Sequence, residues 1–230
     1  MRDARRVARK ERRNLQRDDL VARLPKRIAF SQEDLRRIAV HEAGHAIVQA
    51  KVGDGEIVQL RIKLGLNPQG QVAEVGFLEV AKSEFRGRTR RDYEAQLMVH
   101  LAGLAAEELV LGEIADGGGG STGTDLANAT QIATEMEASL GLGDSLVHLF
   151  PSGSRQIPEL LLADRILRQR VEVTLDKAYE DACAILEEHK SAHEALVDAL
   201  MQRHKLEGRE VLEIISGVGE EDCQRVVGNK

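Results

Sequence analysis

The sequence predicts a mainly helical α+β protein, and three observations carry that expectation. Hydrophobic residues make up 42% of the chain but aromatics only 3%, with no Trp, so the core must be built from Leu, Ile, Val and Ala, a palette that suits packed helices. Several long segments repeat apolar residues at the helical period. A single short stretch, Ile57 to Leu64, alternates apolar and polar residues from Val58 on, as a half-exposed strand does. At 230 residues the chain can hold one good-sized domain with an appendage.

The elements follow in order. Residues 3–23 scatter Ala4, Val7, Ala8, Leu15, Leu20 and Val21 thinly among charges, which predicts helix without a core of its own, ended by Pro25. Ser31 followed by acids up to Asp34 reads as a capping box, opening a helix that runs to about Val52 before Gly53-Asp54-Gly55 stops it. The strand at 57–64, a turn at Asn67 to Gly70 and a partner strand between Val72 and Val80 predict a small antiparallel sheet. Arg91 to Leu111 is a second helix with an apolar face, closed by Gly112. Asp116 to Gly120 is a flexible glycine loop, and Ser121 to Asp125 opens a third long helix ending near Gly141. Two or three helices fill Glu159 to about Leu206, and a short one follows Gly208.

Charge is unevenly spread. Residues 1–30 hold 11 Lys and Arg against 4 Asp and Glu, while the rest of the chain holds 21 against 34. An acidic body argues against nucleic acid as a partner. The basic arm is interrupted by Asp3, Glu11, Asp18 and Asp19 and lacks aromatics for base stacking, so it reads as a charged amphipathic helix. Cys183 and Cys223 stand far apart in no metal spacing, as reduced cytosolic thiols do. No apolar run approaches the ~18–20 residues needed to cross a bilayer.

The chemistry centres on His41, Glu42 and His45. Positions i and i+4 share one helix face, so both imidazoles can point at one divalent ion, and zinc favours such nitrogen ligands. In this pattern the intervening glutamate serves as the base. The flanking residues Ile38, Ala39, Val40, Ala46, Ile47 and Val48 are too apolar for an exposed face, and buried histidines need partners. His189 and His193 share the spacing, but Lys190 stands where the base would be and Glu187, Glu188 and Glu194 surround them, which reads as a solvated face. His100, His148 and His204 read as packing or surface residues. A third ligand remains open from the residues alone. Asp125 stands in a first helical turn, where a carboxylate is also favoured by the helix dipole, and Glu107 and Glu108 are rivals, at least one of which needs a buried partner. Gly118 to Thr124 has no Lys and follows no strand, so it is not a phosphate loop.

Three segments bring a family with them: His41 to Val48, Ala102 to Gly112, and Ser121 to Leu126 with Ala129 and Thr130 behind it. In this order and spacing, across residues 31–215, they resemble the protease domain of FtsH-type ATP-dependent zinc proteases. The resemblance implies a zincin-like active-site helix, one Zn2+ held by His41, His45 and Asp125, Glu42 as catalytic base, and Glu107 as outer support for a ligand or as an alternative ligand. Only Thr124 separates Gly123 from Asp125, a shorter spacing than is usual in that family. The resemblance further implies an endopeptidase that cleaves unfolded polypeptides, a hexamer, and ATP used only through an AAA ATPase domain that is not in this sequence. Residues 1–30 then resemble the last helix of an AAA lid and 31–230 the metallopeptidase domain, so the expectation is a C-terminal piece of a longer protein. It implies a cytoplasmic location, with any membrane contact, at the cytoplasmic face of the inner membrane, made through upstream segments. The competing expectation is a non-catalytic zinc-binding scaffold for an AAA ATPase; an intact Glu42 argues against it.

Overall fold

A computed structural model describes residues 2–21, 28–66, 75–81, 87–119, 123–144, 146–154 and 156–227. The expected turn at 67–70, the start of the partner strand at 72–74, the stop at Pro25 and the residues Gly120 to Thr122 lie outside it.

The architecture is built around one helix, α3 (Gln32–Val52). It starts as expected: Ser31 Oγ accepts from the Asp34 N–H at 3.0 Å, and the Asp34 carboxylate accepts from the Ser31 N–H at 3.1 Å. Every residue from Glu42 to Gln49 is buried, so the middle of α3 is surrounded on all sides. It packs against α4 (Arg90–Leu111), α7 (Arg165–Glu188), α8 (Lys190–Arg203) and strands β2 (Ile57–Ile62) and β4 (Gly76–Val80). Contact with α4 is unusually close. A Cβ on Gly44 would lie 2.6 Å from both the Ala102 carbonyl oxygen and Ala106 Cβ, so only glycine allows the two backbones to approach there.

The sheet is antiparallel in the order β4-β2-β5, with β5 at Lys205–Glu207. Its central strand departs from the expected alternation. Ile57 pairs with Val80 but Gln59 with Glu79, so β2 carries a bulge at Val58. That extra residue changes the phase: Ile57, Leu60 and Ile62 are buried, while Val58 turns outward. The strand also stops at Ile62, and Leu64 is exposed. A separate two-stranded pair joins β1 (Ile28–Ala29) to β3 (Gly65–Leu66), neither foreseen as strand.

Upstream of the sheet core, the basic arm forms α1 (Arg2–Lys10) and α2 (Arg17–Val21). Helix α4 closes on Gly112 in the left-handed conformation, as its sequence predicted. The glycine loop is not wholly irregular, because Asp116–Gly118 forms a 3-10 turn. Helix α5 (Asp125–Ala138) follows, then α6 (Ile157–Ala163) and α7, which Asp164 caps by accepting from the Ile166 and Leu167 N–H groups. The last helix, α9 (Gly208–Val227), is long, not short. Val211 and Ile215 are buried against the core and anchor its first turns, and the helix continues through Gly217 to Val227.

Two apolar clusters result. One gathers α3, the sheet, α8 and α9; the other gathers α5, α7 and the far face of α4, with Met98 and Tyr179 touching both. Among the described residues no helix is long and apolar enough to cross a membrane.

Candidate metal centre

His41 and His45 stand one turn apart on α3, where it faces α4, as their spacing predicted. Each ring is fixed from behind. His41 Nδ1 lies 2.7 Å from Glu107 Oε1 on α4, and His45 Nδ1 lies 2.7 Å from the Val99 carbonyl oxygen. A carbonyl and a carboxylate only accept, so both Nδ1 atoms carry the proton and both Nε2 atoms turn forward. The two Nε2 atoms are 3.1 Å apart. The space for the His41 ring exists because residue 103 is glycine: a Cβ there would fall 2.4 Å from its Nε2.

The third group arrives from the first turn of α5. Asp125 Oδ2 lies 3.2 Å from His41 Nε2 and 3.4 Å from His45 Nε2. His41, His45 and Asp125 therefore present three ligand atoms to one point and could hold a metal ion. The fit to zinc can be checked. Tetrahedral bonds of ~2.0–2.1 Å place ligand atoms about 3.3 Å apart, and the three separations here are 3.1, 3.2 and 3.4 Å. The donor set of two imidazoles and one carboxylate also suits zinc and leaves a fourth position open.

Electrostatics point the same way. Burial disfavours a charged His41, but the Asp125 and Glu107 carboxylates, with Glu42 nearby, outweigh it and raise its pKa to about 10. Burial likewise works against the Asp125 carboxylate, yet His100, His41 and His45 hold it well below the usual carboxylate range. Surroundings that would keep a second proton on His41 are surroundings that stabilise a cation at Nε2.

Glu42 is buried beside this cluster, against the edge strand. A Cβ on Gly76, the first residue of β4, would lie 2.6 Å from its Oε1, so glycine there makes room for the carboxylate. Glu107 is 2% exposed and points at the back of His41, not at the Nε2 cluster. Its second oxygen accepts from the Ala115 N–H at 2.9 Å and from Arg37 at 3.1 Å, and its pKa is lowered: burial pushes it up, but His41, the Ala115 N–H and Arg37 prevail. Glu108 turns the other way and accepts from the Tyr179 hydroxyl.

Two neighbours were not anticipated. His100 Nδ1 lies 3.6 Å from Asp125 Oδ1, so it is neither a lone packing residue nor a surface one. A signal existed: His100, Gly103 and Glu107 fall at i, i+3 and i+7, one face of α4. Arg37 stands one turn before His41 on α3. The other histidine pair also differs from expectation. His193 is not on a solvated face but buried, donating from Nε2 to the Val40 carbonyl at 2.9 Å.

Comparison with known proteins agrees with the geometry. The sequence model of peptidase family M41 matches residues 28–214. The ATP-dependent zinc metalloprotease FtsH 2 of Symbiobacterium thermophilum is 34% identical over 191 residues, covering 80% of this chain and 30% of the relative. The ATP-dependent zinc metalloprotease FtsH of Thermobaculum terrenum is 28% identical over 208 residues (85% and 30%), and that of Thermotoga maritima 28% identical over 211 (86% and 32%). The chain thus spans about a third of the length of these relatives. With the match running from the first strand into the last helix and taking in His41, Glu42, His45 and Asp125, this chain belongs to peptidase family M41.

Proposed function

We propose that this chain is the proteolytic part of an ATP-dependent zinc protease, an endopeptidase acting on unfolded polypeptides. The observation that carries the reading is the convergence of His41 Nε2, His45 Nε2 and Asp125 Oδ2 within 3.4 Å of one another, with the buried Glu42 carboxylate beside them. On this reading those three residues hold one zinc. When bound, the ion supplies Lewis acidity, polarising a peptide carbonyl and bringing the pKa of a water down to ~7.

The chain's own residues supply the rest. Glu42 takes the proton from the attacking water and passes it to the leaving amide nitrogen. Glu107 and the Val99 carbonyl hold the two imidazoles in the tautomer that leaves Nε2 free to bind. Strand β4 is one edge of the sheet, since β2 is paired on both sides and no described strand pairs with the other side of β4. An extended peptide added to that edge would run past Gly76 and so past Glu42, held by main-chain hydrogen bonds with loose sequence preference.

The wider assembly belongs to the same proposal. Residues 1–30 are the end of an AAA lid and 31–230 the peptidase domain. An ATPase domain elsewhere in the full-length protein feeds substrate, and the chains work as a hexamer on the cytoplasmic side, with any membrane contact made by other segments. That the relatives matched are named ATP-dependent, and are about three times as long as the matched stretch, supports the ATPase part of this reading.

The test is direct. Glu42→Gln should retain one zinc per chain and lose cleavage of an unfolded protein such as casein by 10²-fold or more, and a chelator should abolish cleavage in the parent chain. Cleavage by the Glu42→Gln variant at the parent's rate would remove Glu42 from its role.

A further inference from the structure

Glu107 places a carboxylate in the interior, and such a group is stable only where its charge and lone pairs are met. His41 Nδ1 meets one oxygen at 2.7 Å; the other is shared by the Ala115 N–H and Arg37 Nη1. Arg37 does more than this. Its Nη1 also donates to the Glu113 carbonyl at 3.2 Å, and its Nη2 to Glu113 Oε1 at 2.9 Å. One planar guanidinium therefore bridges a buried carboxylate and the segment just beyond α4, a fork geometry that lysine cannot reproduce.

That segment matters to the site. From Glu113 and Ala115 the chain enters the 3-10 turn at Asp116–Gly118, whose last residue is buried against Leu104 and the His41 ring: a Cβ on Gly118 would lie 2.6 Å from Leu104 Cδ2 and 3.5 Å from His41 Cε1. The chain then leads to Asp125. Arg37 is one turn before His41 on the same face of α3, so the residue that braces Glu107 and the residue that Glu107 orients rise from one helix. Among the described residues Arg37 is the guanidinium in contact with Glu107, its Nη1 3.1 Å from Glu107 Oε2.

We infer that Arg37 is a positioning residue of the metal centre, fixing the aim of His41 through Glu107 and fastening, through Glu113, the segment that leads to Asp125. The inference rests on His41, His45 and Asp125 being the ligands, and partners of this kind are worth 10–100-fold in metal affinity.

The test is zinc affinity of the full chain, measured by competition with a chromophoric chelator, for the parent, Arg37→Met, Arg37→Lys and a control, Arg209→Met, whose exposed ion pair with Glu213 lies on α9. The expected result is zinc binding weakened 10–100-fold in Arg37→Met, a smaller loss in Arg37→Lys, and none in the control. A residue that served stability alone would lower the melting temperature and leave the affinity of the folded chain unchanged; that outcome overturns the inference. Should Arg37→Met not fold, parental affinity in Arg37→Lys overturns it instead. A parent chain that takes up no zinc overturns the ligand assignment and this inference with it, whereas one zinc in the parent with unchanged affinity in the folded variants overturns this inference alone.

Discussion

Two pairs of histidines in this chain share one spacing and end in opposite arrangements. His41 and His45 lie within one unbroken helix, each Nδ1 fixed by an acceptor on α4, so both Nε2 atoms meet. His189 sits at the junction of α7 and α8, with φ −111° and ψ 28°, and only His193 lies inside a helix. His193 spends its Nε2 proton on the carbonyl of Val40, the residue before His41, and so braces the outside of α3. Four-residue spacing sets which face two imidazoles share only where the helix runs through both. What sets the first pair apart, and fits it to the proposed ligand role, is the acceptor behind each ring and the carboxylate in front.

That contrast is open to direct attack, and the largest effect should come from the proposed ligands. His45→Ala should lower zinc affinity by several orders of magnitude, because a three-ligand site reduced to two no longer holds the ion. His189→Ala should leave stoichiometry and affinity unchanged, as read by metal analysis of the dialysed proteins. If both variants lose zinc alike, the two pairs are not as different as their geometry says.

The two carboxylates offer a finer cut. Asp125→Ala should abolish stable zinc binding, whereas Glu107→Ala should keep one zinc at 10–100-fold weaker affinity. That interval corresponds to about 1.4–2.7 kcal/mol. The reverse order would make Glu107 a ligand and Asp125 a helix-capping charge. His100→Ala should fall below both, since its Nδ1 stands 3.6 Å from Asp125 Oδ1, not beside the Oδ2 that faces the two imidazoles.

Legibility in the sequence followed the distance over which each feature is encoded. His41, Glu42 and His45 could be read because a single helical turn brings them together, and the capping box at Ser31 and the stop at Gly112 are equally local. Asp125 lies 84 residues from His41, so only resemblance to a family singled it out from Glu107 and Glu108. Glu107 announced a need for a partner by sitting among apolar residues, but nothing local says that the partners are His41 and Arg37. The bulge at Val58 was invisible because it depends on the register with β4. Strand β5 spans three residues and exists through its pairing with β2.

The smallest expected effect, and the sharpest for the comparison, concerns His193. Its burial lowers its pKa below the ordinary value of 6.5, against the opposing hydrogen bond to Val40 and the charge of Glu194, with Arg36 adding to the lowering. The unfolded chain then binds this proton at higher pH than the folded one. Stability contributed by His193 is therefore whole above the unfolded pKa and is lost as pH falls through and below it, by at most about 1.4 kcal/mol per pH unit. His193→Leu keeps the volume but removes the donor, and should cost about 1–2 kcal/mol near pH 7.5. Because the variant has no proton to take up, the gap should narrow at pH 5.5. Denaturant titrations of both proteins at the two pH values, with chelator present to remove any zinc contribution, read this difference. A gap that widens on acidification would mean that His193 is charged in the folded chain, and the contrast between a bracing imidazole and a ligand imidazole would have to be drawn elsewhere.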